Sequence, residues 1–271
     1  MYCKTTFLRS FRCACVAMLL GCVLLTVHAD QMPTRSAAVL VYHRFGQQIS
    51  DSTTTRTAVF RKQIEALRSS GYHIIPLNEL ISGLYGTSPL PYKALAITVD
   101  DGHSSFYEDV LPIVRRERIP ITLFIYPSAI SNASYAMTWA QLQEAMATGL
   151  VQIESHTYWH PNFLLESKRM EKHAYRRFVQ DQFVHAREVL KRKLGTEATL
   201  LAWPFGIFDR ELEFMAEQAG YRAAFALGNR NSNSNDNVFA LPRYMVVDHV
   251  GVTGLLHLLR AGETSTDKTG L

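Results

Sequence analysis

Thr98-Val99-Asp100-Asp101-Gly102 sets two carboxylates side by side, and Ser155-His156-Thr157-Tyr158-Trp159-His160-Pro161 sets two imidazoles four residues apart. Such a set holds a divalent cation and still leaves one carboxylate free as a base. Hydrolysis of a stable bond such as an amide needs both. Two like charges at a strand end require a cation or a shared proton. If the chain coils after Ser155, both rings reach one ion at about 2.0–2.2 Å. Asp101 then completes a two-histidine, one-carboxylate set with positions open for water and substrate. Each stretch also has a plainer reading, since Asp-Gly after a strand is a common turn and His-x-x-x-His is a common solvated helix pattern.

The elements that must position these groups are legible as alternating strands and helices. Strand-like runs are Ala37–Tyr42, Ala94–Val99, Ile121–Tyr126, Val151–Glu154, Ala198–Trp203, Arg222–Ala226 and Val238–Leu241. Helical spacing covers Phe60–Leu67, Phe106–Arg116, a segment capped by Thr138 and ending near Ala147, and a long helix over Glu166–Leu194. Further helices begin at Asp209 and cover Val252–Leu259. This alternation predicts an α/β fold with a parallel sheet, a single-domain, partly closed and distorted β/α barrel of about seven strands. In such barrels chemistry gathers at the C-terminal ends of strands, where Asp100, His156 and Trp203-Pro204 all fall. The polar stretch Asn229–Asn237 reads as a mobile rim.

Residues 1–29 read as a signal peptide: a basic start (Lys4, Arg9, Arg12), an apolar run from Cys13 to Val27, and small residues at Val27-His28-Ala29. Residues 30–271 are then the enzyme domain of an exported, periplasmic or secreted bacterial protein. Leu19-Leu20-Gly21-Cys22 faintly matches a lipoprotein box, so lipid anchoring at Cys22 stays open. All four cysteines lie in this leader, which removes thiolates from the candidate nucleophiles and ligands. The leader also carries three basic and no acidic side chains, so its removal lowers the formal charge from +4 to +1. That balance gives no nucleic-acid partner, and no second apolar run spans a membrane. An oligomeric state is not legible.

With these motifs on the page, the chain resembles the NodB-type polysaccharide deacetylases (carbohydrate esterase family four). Thr98–Gly102 matches the family's T-F-D-D-G, and His156–Pro161 matches H-[S/T]-x-x-H-P. Ala202-Trp203-Pro204-Phe205-Gly206 matches R-x-P-[Y/F]-G except that Ala202 replaces the arginine. Val41-Tyr42-His43-Arg44-Phe45 resembles the start of the permuted poly-N-acetylglucosamine deacetylases. The resemblance implies Asp100 as general base, Asp101, His156 and His160 as ligands of one divalent metal, and the Phe205 N–H as an oxyanion donor. Zn²⁺ is the leading ion, with Co²⁺, Ni²⁺ or Fe²⁺ also suited. It implies His43 as the acid that protonates the departing amine, with His249 as the alternative.

The remaining candidates surround this set. Arg243 either takes over from the missing arginine or forms an exposed salt bridge. Tyr42, Trp159, Trp203 and Phe205 are candidates for a wall against a sugar ring, with core packing the alternative for Trp203, and His103 is near enough either to touch substrate or to form a supporting hydrogen bond. The implied substrate is an N-acetylated polysaccharide, with acetate released. Peptidoglycan or chitin oligomers, a non-sugar amide, and a carbohydrate-binding protein without catalysis are the alternatives, the last supported by the absent arginine.

Overall fold

The computed structural model describes residues 1–2, 35–86 and 88–267, with the side chains of 264–267 left out. The expected leader therefore lies outside the described residues, apart from Met1 and Tyr2. The chain divides into two compact units, Met1–Pro33 and Thr34–Leu271, and every element below belongs to the second.

In chain order the strands are β1 (Ser36–Tyr42), β2 (Arg44–Gly46), β3 (Thr54–Arg56), β4 (His73–Ile74), β5 (Ala94–Asp100), β6 (Ile121–Ile125), β7 (Val151–Ser155), β8 (Leu200–Ala202), β9 (Ala223–Phe225), β10 (Ser232–Asn233) and β11 (Tyr244–Met245). The helices are α1 (Thr57–Ser69), α2 (Leu77–Tyr85), α3 (Leu111–Glu117), α4 (Trp139–Met146), α5 (Phe163–Arg169), α6 (Lys172–Leu194), α7 (Arg210–Gln218) and α8 (Gly251–Asp267). The main sheet runs β10-β1-β5-β6-β7-β8-β9, with β11 and β4 added at β1 and β5. All neighbours are parallel except β10, and β2 pairs β3 in a separate small sheet. This is the predicted curled α/β half-barrel.

Side-chain alternation explains how the sheet selects its faces. In β5, Leu95, Ile97 and Val99 pack outward in one core cluster, while Ala94 and Ala96 pack with Phe124, Ala202 and Phe225 in a second, inner one. The same parity carries Thr98 and Asp100 inward. Small inner residues leave room at the mouth, and the register that pairs Tyr42 with Val99 sets His43 level with Asp100.

A seam lies between β9 and β1. Residues 238–245 span it irregularly: Ala224 N–H donates to Val238 O, Ala226 N–H to Leu241 O, and Gly228 N–H to Arg243 O. The chain then joins β1 as β11. Residues 238–240 form a turn closed by the Ala240 N–H on the Asn237 carbonyl, so the strand expected at Val238–Leu241 is reduced to a single bridge between Phe225 and Leu241.

Other expectations need correction. The long helix over Glu166–Leu194 is two helices, because Met170 and Glu171 are extended and Met170 packs against the Phe163–Trp203 cluster. The helix over Phe106–Arg116 begins as a wide π-type turn, Phe106–Val110, ahead of α3, whose Pro112 lacks a donor. Asn229–Asn237 is not merely a rim: it supplies β10, and Asn231 and Ser232 are buried. The expected Thr138 cap is present as a reciprocal box, with Gln141 N–H on Thr138 Oγ1 at 3.2 Å and Thr138 N–H on Gln141 Oε1 at 2.8 Å.

Candidate active site

Asp100 ends β5 on its inward face, and Asp101 follows with φ 74°. That left-handed turn reverses the alternation that would otherwise point the two carboxylates apart. Gly102 extends it at φ 73°, where a Cβ would meet Ile130 and Ile125 at 3.0 and 3.1 Å. His156 follows β7, and the chain then turns through Thr157 (φ 66°) to His160 (φ 63°) rather than through a helical turn. Positive φ in non-glycine residues costs about 1–3 kcal/mol each and persists where surroundings over-determine it. Asp101, Thr157, His160 and Phe205 all adopt it here.

Asp101 Oδ1 lies 3.7 Å from both His156 Nε2 and His160 Nε2. A tetrahedral ion with bonds of 2.0–2.2 Å separates its ligand atoms by about 3.3–3.6 Å, so this set fits one ion. Among the described residues it is the one group of three His, Asp or Glu side chains close enough to do so. The chemistry of the donors agrees. His156 Nδ1 is 2.7 Å from the Ala202 carbonyl, which can only accept, so Nδ1 carries the proton and the Nε2 lone pair faces Asp101.

Asp100 is buried beside this set, with Oδ2 3.8 Å from His156 Nε2. Arg243, 1% exposed, grips both its oxygens: Nη1 donates to Oδ1 at 2.8 Å and Nη2 to Oδ2 at 2.7 Å. Nη1 also donates to Thr98 Oγ1 at 3.1 Å. Burial alone raises the Asp100 pKa, but the Arg243 guanidinium and His156 outweigh it and hold the carboxyl at about 2. Arg243 therefore pairs with Asp100 from the seam, although Ala202 fills the arginine position of the third motif, and it is buried rather than part of an exposed salt bridge.

These groups open into a cavity of about 290 Å³, whose walls include His43, Thr53, Phe205, Leu227 and Met245. His43 Nδ1 is buried with no hydrogen-bond partner. Burial pushes the His43 pKa down, the carboxylates of Asp100 and Asp101 pull it up, and Arg243 and His156 lower it further, for a net decrease. Phe205 is exposed, with its ring 4.6 Å from that of His160. A larger groove of about 450 Å³ between α1 and α3 has no such convergence of ligands.

Several sequence candidates fall elsewhere. Tyr42 is fully buried, its hydroxyl 3.1 Å from Gln63 Oε1, and is a core residue rather than a sugar wall. Trp203 lines the cavity floor but is 1% exposed and held in the core, with Nε1–H on the Phe239 carbonyl at 2.8 Å. Trp159 is exposed but packs at a tilt against Phe178, 5.8 Å between ring centroids, and does not line the cavity. His103 Nδ1 accepts from the Ser105 N–H and hydroxyl, so it braces its own turn. His249 sits exposed on the turn Asp248–Val250, outside the cavity. Thr53, Leu227 and Met245 were missed, since lone loop residues carry no periodic signal.

The family is decided by a model described as polysaccharide deacetylase, which matches residues 87–224. The chain belongs to the polysaccharide deacetylase family. The matched span contains all three motifs, while His43 and Arg243 lie on either side of it. The poly-beta-1,6-N-acetyl-D-glucosamine N-deacetylase of Escherichia coli (strain K12) is 23% identical over 253 residues, 80% of this chain and 37% of that protein. The protein of the same name from Staphylococcus aureus (strain MRSA252) is 23% identical over 193 residues, 70% of this chain and 66% of that one. The chain thus spans less than two thirds of either relative. Among solved structures, the Streptococcus pyogenes deacetylase PplD in complex with acetate superposes with a TM-score of 0.74 at 16% identity, covering 83% of this chain and 98% of that one. IcaB from Ammonifex degensii gives 0.71 at 23% identity, covering 82% and 96%. These likenesses establish the fold, the half-barrel shared by the family. Among the described residues no helix is long and apolar enough to cross a membrane.

Proposed function

We propose that this deacetylase removes N-acetyl groups from N-acetylglucosamine units of an extracellular or wall polysaccharide, with one divalent metal held by Asp101, His156 and His160. The observation that carries the reading is the pairing of two independent devices at one cavity. A proton on His156 Nδ1 turns its Nε2 toward Asp101, and buried Arg243 keeps Asp100 ionised.

An ion held there by Asp101, His156 and His160, with Zn²⁺ first in order, would supply Lewis acidity toward water and the acetamide carbonyl. Asp100 takes a proton from the attacking water, whose oxygen bonds the carbonyl carbon. The Phe205 N–H donates to the oxyanion that forms. The C–N bond then breaks, and His43 gives its proton to the departing nitrogen, leaving acetate and a free amine on the sugar. Phe205, Leu227 and Met245, with the edge of Trp203, offer the apolar wall that Tyr42 does not.

The leader expected at residues 1–29 supports export, which suits a polymer outside the cytoplasm. The reading as a binding protein without catalysis loses its support, because Arg243 supplies the charge that Ala202 lacks. Acetate release from β-1,6- and β-1,4-linked N-acetylglucosamine oligomers, with chelator and with added Zn²⁺, tests the proposal. Chelator-sensitive release is expected. Metal binding without release from any oligomer would overturn it, and preference for a peptide-bearing glycan or non-sugar amide would reassign the substrate.

A further inference from the structure

His156 and His160 are held by different means. His156 is fixed by its hydrogen bond to Ala202, whereas no ring nitrogen of His160 bonds another residue's hydrogen-bonding group among the described residues. Its ring instead meets three others, with centroids at 4.6 Å for His156, 4.6 Å for Phe205 and 5.3 Å for Tyr126. His160 also stands on a left-handed backbone in a loop, where its ring bonds only to its own backbone.

Tyr126, the residue after β6, is itself anchored. Its hydroxyl lies 2.6 Å from that of Tyr135, and the Tyr135 ring stacks on His103 at 6.1 Å with an interplanar angle of 14°. His103 is fixed through Ser105, whose hydroxyl accepts from the Phe45 N–H at 3.0 Å. Main-chain bonds sew the two loops together: Ser104 N–H donates to Tyr135 O at 2.8 Å and Met137 N–H to Gly102 O at 2.9 Å. The buttress therefore starts in the turn that carries Asp101 and ends on the ring of His160.

We propose that Tyr126 is a positioning residue for His160, its ring, held by Tyr135 and His103, setting the angle at which His160 Nε2 faces Asp101. This rests on the reading of Asp101, His156 and His160 as metal ligands. Aromatic packing here does for His160 what a hydrogen bond does for His156, and loss of such outer support costs about 10–100-fold in metal affinity.

The test is calorimetric titration of Zn²⁺ and of Co²⁺ into metal-free protein, with the visible Co²⁺ spectrum recorded for each variant. Wild type is expected to bind one equivalent and H160A to lose at least a hundredfold in affinity. Equal binding by these two would sink the ligand reading, and the proposal with it. Y126L is expected to bind about tenfold more weakly with an altered Co²⁺ spectrum. Y126F and Y135F each remove the same hydroxyl contact, so their small losses should not add in the double variant. Y126L with wild-type affinity and spectrum overturns the proposal while leaving the ligands intact. Should Y126L melt early, the Y126F–Y135F cycle decides, and independent, additive effects count against it.

Discussion

Arg243 donates two short hydrogen bonds to Asp100 at the floor of the cavity, where both side chains are almost fully buried, which makes each dependent on the other. Removing one partner of a buried pair strands the other charge and costs about 3–5 kcal/mol, whereas removing both is far milder. R243M is therefore expected to destabilise strongly and D100N/R243M to recover much of the loss, as read by urea unfolding. The sign with pH follows. The Asp100 pKa falls from its ordinary 3.8 to about 2 on folding, so the stability it contributes is present above pH 3.8. It is lost as pH falls through 2. The acid assignment is tested at the same scale. H43A is expected to lower kcat about 10²–10⁴-fold while Zn²⁺ affinity changes little, and H249A to leave both unchanged. Wild-type turnover in H43A would remove His43 from the mechanism.

At the scale of elements, β7 delivers the histidine segment and is tied to β8 by a buried acid. Glu154 Oε2 accepts the Thr199 and Leu200 N–H groups at 2.8 Å each, and Oε1 accepts from Gln152 Nε2 at 2.6 Å. Burial outweighs these donors and raises the Glu154 pKa from 4.5 to about 7. A raised carboxyl pKa means the folded chain holds the proton more tightly than the unfolded one. Stability from this group is full below pH 4.5 and declines as pH climbs to 7. E154Q removes that slope, and its unfolding free energy is expected to exceed wild type by about 1–3 kcal/mol at pH 8 but not at pH 5. Parallel pH curves for the two proteins would show that Glu154 is ionised throughout. The strands and most helices around it were legible from apolar runs and glycine stops, as at Gly195, which caps α6 at φ 70°. The break at Met170 and the two-residue strands β10 and β11 were not, because neither a single half-buried methionine nor so short a pairing leaves a period to read.

For the whole molecule, the site is a junction of distant segments: β1 brings His43, the β5 turn the carboxylates, the β7 loop the histidines, and the seam Arg243. A ligand that binds only this folded arrangement stabilises it by mass action, about 4 kcal/mol at a thousandfold excess over Kd. Zn²⁺ is accordingly expected to raise the melting temperature of metal-free protein, chelator to reverse the gain, and H160A to abolish it. An unchanged melting curve with Zn²⁺ would speak against a resident ion.

The amino-acid sequence by itself determined the chemistry on offer and the architecture that presents it. Residue types at strand ends name a carboxylate and imidazole site, and apolar periodicity names the barrel, because both are local properties of the chain. Only the tertiary structure decided which residues of like type take part. Arg243 reaches Asp100 across 143 positions because the seam closes the sheet, Tyr42 and Trp203 are consumed by packing, and His249 is left outside. Such choices depend on register and closure, which no stretch of sequence contains alone.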